Sequence, residues 1–232
     1  MNGVKVGIIG IGNMGSAHLR MITGGNIPDM TVTAVCDIDT EKLNAARNTY
    51  PALRVFEDYT DLLKNSDTNA VIIAVPHPLH AKIAIEAFKY GKHVLVEKPL
   101  DITVSAAEDL CAAAEKSGKV FAIMFNQRTN GLFRKAREIV KSGELGEIKR
   151  SVWIITNWYR TQSYYDSSKW RATWAGEGGG VLLNQAPHNL DIWQWICGSP
   201  SAVTAFCSVG KFHNIEVEDE ATIYAEYENG AT

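Results

Sequence analysis

A charged pair held by a proline follows a short strand-like run in the middle of the chain. The run is His93–Val96, and Glu97, Lys98 and Pro99 come directly after it. Its Val-Leu-Val core is typical of a strand inside a parallel sheet with both faces covered, and ligands bind beyond the carboxyl ends of such strands. Proline restricts the residue before it to extended conformations, so Lys98 has little freedom. The pair is therefore a candidate ligand site; the alternative is a solvated turn.

Three polar side chains in the second half of the chain follow helical spacing: Asn184, His188 and Asp191. A helix over 181–197 would place all three on one face. Pro187 complicates this, because a proline in a helix interior costs about 3 kcal/mol. Either the helix kinks there, or it begins near Ala186 with Asn184 before it. A histidine with polar neighbours on both sides is a candidate ligand or general acid/base; the alternative is an ordinary packed histidine.

A glycine-rich stretch follows the first predicted strand, Val4–Ile9, and opens the first predicted helix, Ser16–Ile22. Its residues are Gly10, Ile11, Gly12, Asn13, Met14 and Gly15. In this context GxGxxG is a dinucleotide-binding fingerprint. The first glycine allows a tight turn, the second lets the backbone approach a pyrophosphate, and the third lets helix pack against strand. The pyrophosphate would lie at the positive end of the helix; the alternative is a glycine-rich turn without a ligand.

A carboxylate ends the next predicted strand. The strand is Thr31–Cys36, and Asp37 follows it, 22 residues beyond Gly15. A carboxylate at this position accepts hydrogen bonds from the adenosine ribose hydroxyls and repels a 2′-phosphate. The next residue is Ile38, and no arginine stands nearby in the sequence to neutralise such a phosphate. We therefore predict that NAD is bound in preference to NADP.

Strands and helices continue to alternate through residues 1–125. The remaining predicted strands are 54–56, 71–75, 93–96 and 120–125, and the remaining predicted helices are 41–49, 59–64, 79–90 and 103–117. This alternation predicts an α/β domain with a doubly wound parallel sheet. Pro76 and His77 end one strand, where packing or a cofactor contact is expected. His77 and His80 have the spacing of a metal pair, but no third ligand is in view, so no metal site is predicted.

The second half, residues 126–232, has a different pattern. The predicted elements are a helix at 132–142, a long alternating strand at Ile148–Tyr159, the helix at 181–197, and strands at 202–209 and 221–227. This predicts an α+β domain with a mainly antiparallel sheet. A polar and aromatic loop precedes the glycines at 176 and 178–180. A loop of this length is often functional; the alternative is that its aromatic side chains pack beneath it.

Composition narrows the possible classes of protein. The chain has 232 residues, a formal net charge of −3 and 46% hydrophobic residues, which suffices for one or two domains. No concentrated positive charge favours nucleic acid, and no apolar run approaches the roughly 18 residues of a membrane span. The N-terminus has no signal-peptide pattern. Four cysteines lie far apart without paired spacing, which predicts reduced core residues of a cytoplasmic protein.

Together these motifs resemble the Gfo/Idh/MocA oxidoreductase family, which includes glucose–fructose oxidoreductase and inositol dehydrogenases. The resemblance covers essentially the whole chain and is carried by the glycine-rich stretch, Gly91–Val94 with Glu97-Lys98-Pro99, and Gly178–Gly180 followed by His188 and Asp191. It implies a Rossmann domain, a C-terminal open sheet that forms a homo-oligomer, NAD or NADP as cofactor, and a sugar, inositol or related polyol as substrate.

The resemblance also implies roles for particular residues. Lys98 is similar to the family's active-site lysine between nicotinamide and substrate hydroxyl, and His188 to its general acid/base. Glu97 and the Trp170-Arg171 pair are expected at the cofactor. Histidine's pKa suits removal of a hydroxyl proton near neutrality, and a lysine cation stabilises the developing alkoxide. The substrate pocket is expected to include Tyr159, with Trp158, Arg160, Tyr164 and Tyr165 as further lining residues.

Two departures from the family pattern stand out. Many members carry aspartate where this chain has Asn184, and an amide orients an imidazole or binds a substrate hydroxyl but does not stabilise an imidazolium as a carboxylate does. Members are also usually longer, so the second sheet is expected to be incomplete at Thr232. The favoured function is an NAD-dependent dehydrogenase acting on CH–OH groups. An NAD-dependent glycoside hydrolase and a non-catalytic nucleotide-binding module are the alternatives.

Overall fold

Six strands in the first half of the chain form one parallel sheet, in the order β3-β2-β1-β4-β5-β6. The strands are β1 (Val4–Ile9), β2 (Met30–Cys36), β3 (Arg54–Phe56), β4 (Ala70–Ile73), β5 (His93–Val96) and β6 (Phe121–Ile123). The helices between them are α1 (Asn13–Thr23), α2 (Thr40–Thr49), α3 (Tyr59–Asn65), α4 (His80–Lys89), which follows a 3-10 turn at His77–Leu79, and α5 (Val104–Ser117). This order is the doubly wound Rossmann arrangement, as the sequence predicts.

A computed structural model describes residues 3–156 and 159–232, and the chain divides into two compact units, Met1–Met124 and Phe125–Thr232. In the described part of the chain, no helix is long and apolar enough to cross a membrane.

The first sheet is buried on both faces by apolar side chains that alternate along its strands. In β4, Val71 and Ile73 join the cluster under α3, α4 and α5, whereas Ile72 joins the cluster under α1 and α2. This is the period-two alternation of a strand. Each fully buried valine or isoleucine stabilises the fold by about 1.5–3 kcal/mol. The core therefore fixes which strand ends lie side by side at the carboxyl edge of the sheet.

The helices of the first unit begin in two different ways. Asp39 caps α2 by accepting from the backbone N–H groups of residues 41 and 42, and Asp58 and Thr103 cap α3 and α5. Such caps stabilise a helix by about 0.5–2 kcal/mol. The cap position of α1 is instead Gly12, which has no side chain to cap the helix. The N-terminal end of α1 is therefore open to another hydrogen-bond acceptor.

Some element boundaries in the first unit differ from the predictions. Strand β4 ends at Ile73 rather than Val75, where the carbonyl of Val75 faces the ring of His80. Strand β6 covers 121–123 rather than 120–125, because it lies at the sheet edge and its one neighbour, β5, ends at Val96, which pairs with Ile123.

The second unit combines helices with a two-stranded antiparallel sheet. Its helices are α6 (Gly131–Ser142), α7 (Gln162–Asp166) and α8 (Pro187–Cys197), and its strands are β7 (Ala202–Val209) and β8 (Glu218–Glu226). Helix α6 packs on α8, where Arg137 lies over the Trp195 ring at 4.8 Å and its Nε donates to the Trp195 carbonyl at 3.1 Å. The antiparallel pairing agrees with the predicted antiparallel sheet, although β8 covers 218–226 rather than 221–227.

The long strand predicted at 148–159 is wrong for the residues that the structure describes there, which are 148–156 and 159. Asn157 and Trp158 lie outside the described residues. Ser151 N donates to Thr232 O at 2.8 Å and Thr232 N donates to Lys149 O at 3.2 Å, but residues 152–156 are exposed. An alternating segment becomes a strand only beside a partner edge, and in the described chain β7 and β8 pair with each other.

Helix α8 begins at Pro187 and not at 181, so the second of the two alternatives for this stretch is confirmed. Residues before it form turns, in which Asn184 N donates to Gly180 O at 2.9 Å and Ala186 N donates to Val181 O at 2.7 Å. Proline is favoured in the first turn of a helix, where its missing N–H is not needed. Asn184 therefore precedes the helix that carries His188.

The four cysteines are free, but they are not all core residues as predicted. Cys36 is buried and Cys197 is half-buried, whereas Cys111 and Cys207 are exposed. Burial raises the pKa of the Cys36 thiol to about 12, so this thiol is unreactive at neutral pH. Apolar neighbours in the sequence did not indicate burial, because Cys207 lies on a strand whose residues are mostly exposed.

Candidate functional site

The glycine-rich turn after β1 is shaped by close backbone contacts. Gly10 has φ +87°, and a Cβ there would lie 2.5 Å from the carbonyl oxygen of Ala74. A Cβ at Gly15 would lie 1.8 Å from the carbonyl oxygen of Gly10, so helix and turn touch only because no side chain intervenes. Beside Gly12, by contrast, no described atom lies within 4 Å of the Cβ position. Two glycines thus build the turn, and Gly12 leaves space next to it.

That space lies at the N-terminal end of α1. No described side chain caps this end, and its first turn has no acidic residue. Asn13 and Met14 are exposed, whereas Ser16 bonds inward, with its Oγ donating to Ile11 O at 2.9 Å. Free N–H groups and the helix dipole at such an end favour an anion. The open space and the uncapped helix therefore fit the pyrophosphate of a dinucleotide.

Asp37 lies at the end of β2, with its side chain 9% exposed. Its carboxylate accepts from Ile11 N at 2.8 Å and from Asp39 N at 3.0 Å, so it braces the glycine-rich turn. Lys42, one turn into α2, brings its Nζ within 3.8 Å of the same carboxylate. The predicted preference for NAD rests on the absence of a nearby arginine and does not take this lysine into account. Since the Lys42 side chain is half exposed, water screens its charge.

The Glu97-Lys98-Pro99 turn extends β5 beyond its last ladder pair. Glu97 N donates to Ile73 O at 2.9 Å, which holds the start of the turn against β4. The Glu97 side chain is buried, and its Oε1 lies 2.8 Å from Nε2 of His18, on α1. Lys98 is half-buried, and the Lys98–Pro99 peptide bond is cis. No sequence motif pointed to His18, because only the folded sheet brings α1 next to the end of β5.

His80 lies 1% exposed between the ends of β4 and β5. Its Nδ1 is 2.6 Å from Pro99 O, and its Nε2 is 2.8 Å from Val75 O. Burial lowers the pKa of the His80 imidazole, and the two carbonyls and the carboxylates of Glu97 and Asp101 oppose that effect. Each ring nitrogen faces a carbonyl oxygen of the protein, so His80 is not available as one half of a metal pair.

Four neighbouring strands bring these groups together at one edge of the sheet. In the order β2-β1-β4-β5, the strands end in Asp37, the glycine-rich turn, Pro76-His77 and Glu97-Lys98. His77 is buried, 5.8 Å from His80 between ring centroids, whereas Pro76 is exposed. The arrangement is a crevice lining of the kind that binds dinucleotides in doubly wound sheets.

In the second unit, Asp191 does not join Asn184 and His188 on an open face. Its buried carboxylate accepts from Arg128, with Nε at 2.8 Å and Nη2 at 2.5 Å. The hydrogen bond to Asp191 raises the pKa of Arg128. This bidentate pair ties the 3-10 turn Asn126–Thr129 to α8, so Asp191 has a structural contact. His188 lies at the start of α8, with its ring 6.3 Å from that of Phe125 and nearly perpendicular to it.

Glu177 lies beside two residues of the second unit that were predicted to have different roles, Asn184 and Arg171. It is 1% exposed, accepts from Ala172 N at 2.6 Å, and accepts from Nδ2 of Asn184. Nη1 of Arg171 lies 3.9 Å from the same carboxylate, and the Arg171 guanidinium lies 4.9 Å from the Trp170 ring centroid. Sequence reasoning missed Glu177, although an acidic residue beside three glycines is a signal for a carboxylate that binds a turn.

A second buried carboxylate holds the three glycines themselves. Glu218, the first residue of β8, accepts from Gly180 N at 2.9 Å and from Leu182 N at 3.0 Å. A Cβ at Gly180 would lie 1.8 Å from Glu218 O, so the turn is pressed against the strand. This glycine therefore serves packing on β8.

The aromatic loop borders a polar groove of about 520 Å³. Its charged lining residues are Asp166, Lys169, Arg171 and Glu216. Tyr165 also lines the groove, and Tyr164 accepts from Nη1 of Arg171 at 2.6 Å. Tyr159 is exposed, with its ring 6.2 Å from that of His213. Of the five aromatic and basic residues predicted to line the pocket, the structure thus places Tyr165 at this groove, and Trp158 is outside the described residues.

Comparison with known proteins finds a family match in each of the two units. Residues 4–125 match the oxidoreductase family with an NAD-binding Rossmann fold, Gfo/Idh/MocA, and residues 133–232 match the C-terminal domain of that family. An uncharacterised oxidoreductase of Bacillus subtilis is 29% identical over 98% of this chain, and inositol 2-dehydrogenase of Salmonella paratyphi B is 35% identical over 62% of it. The chain spans 65% and 43% of the lengths of these two relatives.

A solved structure shows the same fold. The WlbA dehydrogenase from Bordetella pertussis, crystallised in complex with NADH and UDP-GlcNAcA, superposes with a TM-score of 0.89 at 27% identity. The match covers 99% of this chain and 68% of that one.

Proposed function

We propose that the protein transfers hydride between a hydroxyl of a sugar, inositol or related polyol and the nicotinamide of NAD. The premise is that the chain belongs to the Gfo/Idh/MocA family of oxidoreductases with an NAD-binding Rossmann fold. The observation that carries the proposal is the crevice lining at the ends of β2, β1, β4 and β5. This substrate class is supported by two of the relatives, an inositol dehydrogenase and a dehydrogenase crystallised in complex with NADH and UDP-GlcNAcA.

In this proposal the first unit holds the cofactor through three features. The N-H groups at the start of α1 bind the pyrophosphate, Gly12 leaves it room, and Asp37 accepts from the adenosine ribose hydroxyls. Bound NAD supplies the hydride acceptor, which no amino-acid side chain offers. Contacts of Pro76, His77, Glu97, Trp170 and Arg171 with the cofactor remain predictions.

The side chains of the protein are then needed to accept a proton and to stabilise negative charge. Oxidation of an alcohol removes a hydroxyl proton as the carbon gives up hydride. We assign acceptance of that proton to a ring nitrogen of His188, whose pKa range suits transfer near neutral pH. We assign stabilisation of the negative charge on the alcohol oxygen to the Lys98 ammonium. Asn184, oriented by Glu177, is proposed to bind a substrate hydroxyl or to orient the His188 ring, and Tyr159 is proposed as a substrate contact.

A spectrophotometric screen tests the proposal. The chain is mixed with NAD or NADP and a panel of sugars and inositols, and NADH formation is followed by absorbance. We expect NAD reduction with at least one polyol and weaker reduction of NADP. Strong preference for NADP would contradict the role of Asp37. Hydrolysis of a glycoside without net NADH would identify the alternative hydrolase, and binding of NADH without any turnover would identify a nucleotide-binding module.

The exposed apolar side chains of the second sheet support a proposal about assembly. Val203, Phe206 and Val209 on β7 and Tyr224 on β8 are exposed. A sheet with several exposed apolar residues is a candidate protein interface, so we propose that this sheet forms a homo-oligomer. Sedimentation across a concentration series tests this, and a monomer at all concentrations would contradict it. A cytoplasmic location stays a prediction from the sequence.

A further inference from the structure

Lys98 lies between two residues that are each contacted by a histidine from a different helix. Before it, the Glu97 carboxylate lies 2.8 Å from Nε2 of His18, on α1. After it, the Pro99 carbonyl lies 2.6 Å from Nδ1 of His80, at the start of α4. The turn after β5 is therefore held on both sides of the lysine, once through a side chain and once through the backbone.

The contact of His18 is a buried one. The His18 side chain is 12% exposed and the Glu97 side chain is 9% exposed, so little water reaches the pair. A carboxylate with so little water needs a donor from the protein. His18 supplies it, and because His18 belongs to α1, it links the turn to the helix that begins at the glycine-rich loop.

The contact of His80 joins two strand ends. Its second ring nitrogen lies 2.8 Å from Val75 O, just before Pro76 and His77. A carbonyl only accepts a hydrogen bond, and a neutral imidazole has one N–H, so the shorter contact, to Pro99, is the stronger candidate for it. At 1% exposure the ring is enclosed by protein atoms. It fills the space between the ends of β4 and β5.

We propose that His18 and His80 are positioning residues that together fix Lys98, by holding the carboxylate of Glu97 and the carbonyl of Pro99. This rests on the proposed function for the role of Lys98, whereas the holding of the turn does not. Neither histidine is assigned a contact with substrate. A shift of about 1 Å in a reacting group is enough to reduce turnover on the order of 100-fold, which is why such support has a functional effect.

The kinetic test uses two variants that remove a histidine contact, His18→Leu and His80→Leu, and one conservative variant, His18→Gln. For His18→Leu and His80→Leu we expect kcat to fall about 10- to 100-fold, with the KM for NAD and the NADH affinity within about threefold. His18→Gln keeps an N–H for Glu97 and is expected to retain most of kcat. Combined with Lys98→Ala, either leucine variant is expected to add no further loss, since its effect passes through the lysine.

His93→Leu is the matched control. His93 is at the other end of β5, where its Nδ1 accepts from Val120 N at 2.9 Å. The control also removes a histidine bond at β5, but far from the turn, and kcat is expected to stay within about twofold. An equal loss of kcat in His93→Leu, an unchanged kcat in both leucine variants, or an additive loss with Lys98→Ala would overturn the proposal.

Hydrogen exchange tests the clamp without any turnover. We expect the amides of Glu97, which donates to Ile73 O, and of Lys98 and Leu100 to exchange about tenfold faster in His18→Leu and in His80→Leu. In His18→Gln the increase is expected to be smaller. Unchanged exchange there would refute the clamp even if the dehydrogenase activity is found. Faster exchange in a protein without polyol activity would keep the clamp and refute the proposed function instead.

Discussion

The candidate residues at the carboxyl edge of the first sheet are placed by strand order, whereas those of the second unit are placed by two buried carboxylates. Asp37 and Lys98 follow strands whose neighbours are set by apolar side chains on both faces. Asn184 lies in a turn that is bonded to Glu177 and packed on Glu218. A site built on strand ends depends on the core, and a site built on turns depends on a few polar groups.

This difference predicts where a substitution affects chemistry and where it affects folding. At the first edge, the strand ends that carry the polar side chains are set in place by the apolar core. In the second unit, the buried carboxylates are the frame of the turn. The experiments below test this contrast, beginning with the largest expected effect.

Lys98→Ala tests the first half of the contrast. We expect kcat/KM for the polyol to fall about 100- to 1,000-fold, because one group that stabilises developing charge is removed. Stability should change little, since the side chain lies half-buried after the strand has ended. The control is Lys89→Ala, whose exposed ammonium pairs with Glu86 at 2.9 Å on α4. Full turnover in Lys98→Ala, or an equal loss in the control, would remove the lysine from the mechanism.

Glu177→Gln tests the second half. The new amide would bring N–H groups toward Ala172 N–H or the Asn184 amide, so we expect the second unit to lose about 2–4 kcal/mol of unfolding free energy. All six tryptophans lie after residue 124, so tryptophan fluorescence in urea reports on this unit alone. Glu220→Gln, at an exposed pair with Lys211, is the control and should change stability by less than about 0.5 kcal/mol. Similar values for the two variants would break the contrast.

Asp37→Asn tests whether a strand-end carboxylate serves the ligand. Asparagine offers one acceptor where the carboxylate serves two backbone N–H groups, and it no longer repels a 2′-phosphate. We expect the Kd of NADH to rise about tenfold, the equivalent of about 1.4 kcal/mol, and the preference over NADPH to shrink. Fluorescence titration measures both. Asp39→Asn removes a neighbouring carboxylate charge but keeps a side-chain oxygen to cap α2, and should leave NADH affinity within about twofold; equal effects would assign Asp37 a purely structural role.

His80 gives the smallest effect, through pH. Burial lowers its pKa from 6.5, while the carbonyls of Pro99 and Val75 and the carboxylates of Glu97 and Asp101 oppose this; His77 is the other titratable ring beside it. A group with a lowered folded-state pKa binds its proton more readily when unfolded. Its contribution to stability is therefore full above pH 6.5 and is lost as the pH falls through the lowered pKa.

The comparison that isolates this effect is between the chain and His80→Gln. Urea unfolding followed above and below pH 6.5 should show a steeper acid loss of stability for the chain than for the variant. His93→Gln is the control and should keep the slope of the original. Parallel curves for the chain and His80→Gln would mean that the ring does not change its protonation with folding.

The same contrast explains what the sequence could predict. Asp37, Gly12 and Lys98 were found because a strand, a turn and a helix are local patterns, and parallel strand ends share an edge. Lys42 and Glu177 were missed although their partners Asp37 and Asn184 lie within seven residues, because such side-chain contacts do not follow from motif spacing. His18 was missed because it meets Glu97, 79 residues away, only when distant segments fold together. The pairing of Asp191 with Arg128, 63 residues away, was missed for the same reason.

The wrong strand prediction and the excluded alternative for the helix have related causes. Alternation over 148–159 describes a segment that fits a strand, but it does not supply a neighbouring edge. Helical spacing over 181–197 was real for α8, yet residues 180–186 turn instead, because Glu218 accepts from the N–H groups of Gly180 and Leu182. In the first stretch the lack of a partner edge decides the backbone, and in the second a contact far along the chain does so.

The contact of Gly180 with Glu218 also has a consequence for the order in which the second unit folds. The two residues are 38 positions apart, and the turn reaches its shape only against β8. Closing such a loop takes entropy that local contacts do not repay. We therefore expect the hairpin of β7 and β8 to form first and the segment that carries Asn184 to be among the last parts of the unit to acquire native structure during refolding.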